Sequence, residues 1–232
     1  MIDWPRIDTV LLDMDGTLLD LYFDNHFWLE YLPERFAQAR DITIADAKAQ
    51  LMQDFGRHQG TLNWYCLDFW SAALGLDVVA LKHDVRHRIS PRPNAFRFLQ
   101  AIRESGRRAI LCTNAHRASV TLKLEQTGLD LHLDGVVSSH DFRLPKEDVR
   151  FWEALRQHLG HDPLRTLLVD DNAAVLASAR EAGIGHLAGI ALPDSQRPPL
   201  VLEDFFTIDS FLDVLPPPTG AGGVPGQDHR DD

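Results

Sequence analysis

Hydrophobic positions follow two rhythms along this chain. Short, nearly unbroken apolar runs occupy 9–12 (TVLL), 108–112 (RAILC), 135–138 (GVVS), 166–169 (TLLV) and 184–190 (IGHLAGI). Continuous apolar runs of this length are expected of strands covered on both faces, as in a parallel sheet. Between them, helix-like patterns run over 95–105, 117–127, 146–159 and 173–182, and each is followed by a glycine: Gly106, Gly128, Gly160 and Gly183. Glycine takes the left-handed conformation that ends a helix without steric penalty. Strand and helix in alternation predict a parallel α/β sheet with right-handed crossovers.

One connection breaks the alternation. From Gly16 to the Pro91-Arg92-Pro93 segment, roughly seventy-five residues pass without a clear strand, far more than a βα loop needs. The stretches HFWLEYLPERFAQA, TIADAKAQLMQDF and TLNWYCLDFWSAAL fill it with helical patterning. Within the last, positions 66, 67, 70 and 74 make an apolar stripe that predicts Leu67 and Trp70 to be interior. The pattern thus predicts a core of residues 1–18 and 89–215 and an inserted helical unit over 19–88. The end of the chain, PPPTGAGGVPGQDHRDD, has little to bury, so 216–232 is expected to be a disordered tail.

Composition narrows the partners. The chain has 232 residues with 23 Lys and Arg against 34 Asp and Glu, a formal charge of −11. That balance argues against nucleic acid or an anionic membrane as partner, although it leaves room for a local positive pocket; a small-molecule ligand and a monomer or homodimer are the expectation on other grounds. No apolar run approaches the roughly eighteen residues of a membrane span. The N-terminus, MIDWPRID, lacks the features of a signal peptide, so a cytoplasmic location is expected. Cys66 and Cys112 are far apart in sequence and read as reduced thiols.

The chemistry lies where the apolar runs stop. Ligands of open α/β sheets bind at the carboxyl ends of the strands. The first run delivers Asp13 and Asp15, the second Thr113 and Asn114, the fourth Asp170, Asp171 and Asn172, and the loop after the third supplies Lys146. Four carboxylates brought together repel unless a cation joins them, and an oxygen-only ligand set suits Mg²⁺. With Asp15 protonated, three carboxylates are balanced by Lys146 and one divalent ion. A phosphate dianion then meets no net repulsion, which would let a carboxylate attack phosphorus. Plainer readings exist for each piece. Asp170-Asp171-Asn172 is a good helix N-cap, Thr113-Asn114 could be capping alone, and a lysine after Pro145 is ordinarily solvated. A calcium loop at DMDG is disfavoured, because the position that needs glycine holds Leu18.

Taken in order, DMDGT, TN, a lone lysine and DD resemble the four motifs of the haloacid dehalogenase-like hydrolase superfamily. The resemblance implies a Rossmann-like parallel core with an inserted α-helical cap, and a magnesium-dependent phosphomonoesterase. It also implies that Asp13 is the nucleophile, forming a phosphoaspartyl intermediate, and that Asp15 is the general acid and base. Thr113, Asn114 and Lys146 would hold the phosphoryl group. The metal would be held by Asp13, the main-chain carbonyl of Asp15, Asp171 and Asp170. Over roughly residues 8–194 the stretches TVLLDMDGTLLDLYFDNHFW, TLNWYCLDFW, TNAH, LEQTGLDLHLD and PKED closely resemble bacterial 5′-nucleotidases of this superfamily that act on GMP and IMP. Asn63 and Trp64 are then candidates to face substrate, as are His58 and His116. Two alternatives remain: a phosphatase acting on a sugar phosphate or phosphoglycolate, and a non-catalytic ligand-binding relative. The second alternative would ordinarily have lost Asp13 or Asp15.

Overall fold

The computed structural model of the protein describes residues 2–218. Among these, six strands form one sheet: β1 (Thr9–Leu12), β2 (Arg108–Thr113), β3 (Gly135–Ser138), β4 (Thr166–Val169), β5 (His186–Ile190) and β6 (Phe206–Ile208). Their order is β3-β2-β1-β4-β5-β6 and every pairing is parallel. All four residues of β1 and of β4 are buried, which is why these strands read as unbroken apolar runs. Val10 and Leu12 feed one hydrophobic cluster and Leu11 the other, so the sheet separates two cores.

The sheet is flanked by α7 (Ala95–Glu104), α8 (Arg117–Thr127), α9 (Val149–Leu159) and α10 (Ala173–Glu181), with α1 to α6 preceding them in the insertion. The glycines after these four helices all have positive φ, from 63° at Gly160 to 87° at Gly183. In the core, three features differ by more than one residue from the sequence reading; the first is β5, which starts at His186 instead of Ile184. Helix α9 starts at Val149 because Asp148 caps it, its side chain accepting the Arg150 N–H (2.9 Å). Lys146 therefore lies in the turn before the helix instead of opening it. Strand β6 was not anticipated: it is three residues long, with Phe206 exposed and only Ile208 buried.

The insertion carries α1 (Tyr22–His26), α2 (Leu32–Arg40), α3 (Ile44–His58), α4 (Leu62–Tyr65), α5 (Leu67–Leu74) and α6 (Val78–Asp84). A π-helical turn, Phe27–Tyr31, joins α1 to α2, and Cys66 breaks the last predicted helix into α4 and α5. Leu67 and Trp70 are buried as the stripe predicted. The chain leaving the core pairs with the chain returning to it. Asp20 N–H donates to Ser90 O and Arg92 N–H to Leu18 O, both at 2.9 Å. That short pairing holds the root of the cap. One hydrophobic cluster runs from Val10 and Leu12 through Phe23 and Phe27 into Phe55 and Trp70, so cap and core share buried surface. No helix among the described residues is long and apolar enough to cross a membrane. Residues 219–232, most of the expected tail, lie outside the described residues.

Candidate active site

The sheet order reverses direction beside β1, where α/β folds open a crevice for ligands. Asp13 continues the line of β1, its N–H donating to Val169 O (3.0 Å), so its side chain emerges at the strand's carboxyl end. The chain then turns sharply. Leu18 and Leu19 N–H both return to Met14 O, at 3.0 and 2.7 Å. Gly16 sits in this turn at φ +83°, and a Cβ there would fall 2.5 Å from Asp171 Oδ2. The glycine of the motif thus supplies a left-handed backbone and also room for a carboxylate.

Lys146 is held from three directions. Its N–H donates to Asn114 Oδ1 (2.9 Å), and its carbonyl accepts from Trp152 Nε1 (3.0 Å) and Ser178 Oγ (2.5 Å). The buried ammonium reaches Asp13 Oδ1 at 2.5 Å, Asp170 Oδ2 at 2.7 Å and Cys112 O at 3.0 Å. Burial opposes the Lys146 charge, yet Asp13 and Asp170 outweigh it and keep the ammonium well above its ordinary pKa. Burial pushes the Asp13 carboxyl up to about 6 against the pull of Lys146.

Asp15 belongs to a second set of charges that sequence reasoning missed. Lys123 Nζ donates to Asp15 Oδ1 and Asp24 Oδ2, each at 2.6 Å, and Lys82 Nζ donates to Asp24 Oδ1, also at 2.6 Å. The result is an alternating chain, Asp15–Lys123–Asp24–Lys82, running from the core into cap helices α1 and α6. Both lysines are buried. Burial raises Asp15 to about 7, with Lys123 opposing and Asp24 and Asp13 adding to it. Asp24 goes the other way: burial is overcome by its two lysines, and its pKa is lowered. For Lys82 a signal was present in the sequence, since Val78, Val79 and Val85 stand one turn away and call for an apolar side chain there; Lys123, with Ser119, Gln126 and Thr127 at most of those spacings, gave none.

Carboxylate oxygens of Asp13, Asp170 and Asp171 lie within 4.8 Å of one another. Burial raises the Asp170 carboxyl despite Lys146, and raises Asp171 still more strongly, with Asp13 and Asp170 adding their repulsion. Three carboxylates against one ammonium leave two negative charges. The donor set, oxygen only and doubly negative, fits a divalent cation such as Mg²⁺.

These groups form the floor of a cavity of about 350 Å³. Its floor includes Asp13, Asp15, Thr113, Asn114, Lys146, Asp170 and Asp171, and the cap closes it with Trp28, Phe55, Trp64, Tyr65 and Trp70. The structure thus brings together every core residue singled out by the strand ends. Thr113 is buried and its Oγ1 accepts the Ala115 N–H (3.0 Å). Asn114 uses its side chain as a brace, accepting from Lys146 and donating to Glu147 Oε2 (2.9 Å). Trp64 lines the cavity, whereas Asn63 is exposed and outside it. His58 packs on Phe69 and Trp70, and His116 caps α8, so neither lines the cavity.

The chain is 46% identical over 194 residues to the GMP/IMP nucleotidase YrfG of Escherichia coli, covering 84% of this chain and 87% of that one. It is 25% identical over 223 residues to a phosphoglycolate phosphatase of Agrobacterium fabrum, covering 93% and 94%. A crystal structure of a HAD phosphatase from Thermococcus onnurineus superposes with a TM-score of 0.74 at 19% identity, over 90% of this chain and 96% of that one. The profile of the haloacid dehalogenase-like hydrolases matches residues 7–183, and the chain belongs to that family.

Proposed function

We propose that the protein is a magnesium-dependent 5′-nucleotidase that hydrolyses purine nucleoside monophosphates, with GMP and IMP preferred. The observation that carries this reading is a carboxylate-and-lysine floor beneath an aromatic roof. The floor matches a phosphate and the roof matches a planar base. The E. coli relative at 46% identity is a GMP/IMP nucleotidase, which supports the same substrate class. A two-carbon substrate such as phosphoglycolate would leave most of this aromatic wall without a contact.

In the proposed reaction an Asp13 oxygen attacks phosphorus and the nucleoside oxygen leaves, giving an aspartyl phosphate. Asp15 gives its proton to that oxygen. It then takes one from the water that cleaves the acyl phosphate. The two carboxyls suit these roles: Asp13, at about 6, is mostly ionised at neutral pH, while Asp15, at about 7, is poised to give and take a proton. Lys146, Thr113 and the backbone at Asn114 hold the phosphoryl oxygens. Asp13, Asp170, Asp171 and the Asp15 carbonyl would hold Mg²⁺, which when bound supplies positive charge to the transferring phosphoryl group. Phosphate release measured across GMP, IMP, AMP, CMP, phosphoglycolate and hexose phosphates tests the reading. We expect the highest kcat/KM for GMP and IMP. A roughly tenfold preference for phosphoglycolate or a hexose phosphate, about 1.4 kcal/mol and so on the scale of one mispaired buried group, would overturn the substrate assignment.

A further inference from the structure

Beside the cavity, on the seam between cap and core, lies a second group of metal-ligating side chains of a different kind. Cys66 stands between α4 and α5 in the cap. His116 follows β2 and His140 follows β3 in the core. One donor atom from each lies within 4.8 Å of the other two. The two imidazoles meet edge to face with centroids 5.0 Å apart. The carboxylate of Asp68, two residues beyond Cys66, reaches His116 Nε2 at 3.5 Å, and its side chain is 79% exposed.

His140 provides the independent sign. Its Nε2 is buried and has no hydrogen-bond partner, while the ring bonds the main chain of Asn114. Because Nε2 is the unpartnered nitrogen, that bond belongs to Nδ1. A backbone carbonyl that holds the Nδ1 proton leaves the Nε2 lone pair free, which is how proteins prepare a histidine to bind a metal. Cys66 is half-buried at the N-cap of α5, and its Sγ accepts the Phe69 N–H (3.4 Å). One sulfur and two imidazole nitrogens suit zinc and cobalt and are poor ligands for magnesium. Around one zinc the donors would stand about 3.3–3.6 Å apart, a distance implied by its tetrahedral bond lengths. Small side-chain rotations would close the group to that distance.

We propose that Cys66, His116 and His140 form a binding site for a zinc-like divalent ion, with Asp68 or water completing it, and that an occupied site clasps the cap to the core. The ligands come from both units. On the same edge Tyr65 of the cap already donates to Glu147 Oε1 of the core (2.6 Å). A bound ion would add a coordinate link to that contact and hold the cavity closed, slowing exchange of substrate and product. The consequence for turnover rests on the phosphatase reading, whereas the binding itself does not.

The test titrates Co²⁺ into the full-length protein with excess Mg²⁺ present, so that the carboxylate site is occupied. A thiolate-to-cobalt charge-transfer band is expected in the wild type at one ion per chain. It should be lost in Cys66→Ser, with binding weaker by at least about tenfold. Serine keeps the cap of α5, so this variant should fold. Absence of the band, or its persistence in Cys66→Ser, would overturn the site. The second arm measures phosphate release with Zn²⁺ added to the Mg²⁺-loaded enzyme. Turnover should fall by at least about half in the wild type and stay near its zinc-free rate in Cys66→Ser. Binding without loss of turnover, or equal inhibition of both proteins, would overturn the clasp and leave the site.

Discussion

Replacing Lys123 with methionine should impair one half of the catalytic cycle and spare the other. The ammonium is buried and lies 2.6 Å from both Asp15 and Asp24. Asp24 keeps Lys82, but Asp15 loses the cation that holds its carboxyl down. At an effective dielectric of about 20 the Coulomb attraction at this distance is about 6 kcal/mol, most of it offset by the cost of burying the charges. A charge-assisted hydrogen bond retains about 1.5–3 kcal/mol. Losing it makes the Asp15 carboxyl harder to ionise by about ten- to a hundredfold, or about one to two pH units. Asp15 starts from about 7, so in Lys123→Met it should stay protonated at neutral pH. It can still give a proton to the leaving group but can no longer take one from water. The acid limb of the pH–rate profile should move to higher pH, and rapid-mixing experiments should show a burst of nucleoside followed by slow turnover. Asp24→Asn should act in the opposite sense, because it removes a like charge from Asp15. Circular dichroism must show both variants folded at the assay temperature, since breaking a buried pair costs about 3–5 kcal/mol. An unmoved acid limb in Lys123→Met, or a shift of the same sign in both variants, would refute this reasoning.

Asp13→Asn should fold and bind nucleotide yet release no phosphate, because an amide does not attack phosphorus; malachite-green assays near the wild-type rate would contradict it. Gly16→Ala should reduce Mg²⁺ affinity as well as kcat, since its Cβ would fall 2.5 Å from Asp171 Oδ2 at a φ of +83°. A magnesium titration of activity indistinguishable from wild type would show that Asp171 needs no such room. His161 is buried with both ring nitrogens unpartnered, and burial, followed by Arg108 and Arg156, lowers its pKa. As the pH falls below about 6.5 the unfolded chain takes up a proton that the folded chain resists, so stability is lost on acidification. His161→Leu should therefore lose less of its urea midpoint than the wild type between pH 7 and pH 5; parallel losses would count against it.

What the sequence made legible follows from how local each cause is. Strands β1 and β4 could be read because a strand covered on both faces must be apolar throughout, and the ends of α7 to α10 because a glycine in the left-handed region follows each. Strand β6 could not be read: only Ile208 of its three residues is buried, so no run betrays it. The core side of the site was legible because strand ends converge by topology, which places Asp13, Thr113, Lys146, Asp170 and Asp171 around one cavity. The cap side was not, since which face of a short helix looks inward depends on its packing. Trp64 lines the cavity and its neighbour Asn63 does not. Asn114 shows a different limit. Its position was legible, but the brace it forms depends on Lys146 and Glu147, more than thirty residues away.

The missed lysines bear on how cap and chemistry are joined. Burying Lys82 and Lys123 is costly, and replacing buried ion pairs with apolar side chains often costs nothing in stability. Stability therefore gives a weak reason to keep them. Lys123 does what an apolar residue could not: it couples Asp15 in the core to Asp24 in α1, and through Asp24 to Lys82 in α6. Of the residues that set the charge around Asp15, Asp13 and Lys123 belong to the core, whereas Asp24 belongs to the cap and reaches Lys123 only with the cap seated. If the cap lifts, Asp15 loses the repulsion of Asp24 and gains solvent. Both changes lower its pKa from about 7 toward an ordinary carboxyl, which at neutral pH has no proton to give. In the proposed reaction the acid of the first step would thus be loaded only with the cap down, which would confine hydrolysis to the closed state.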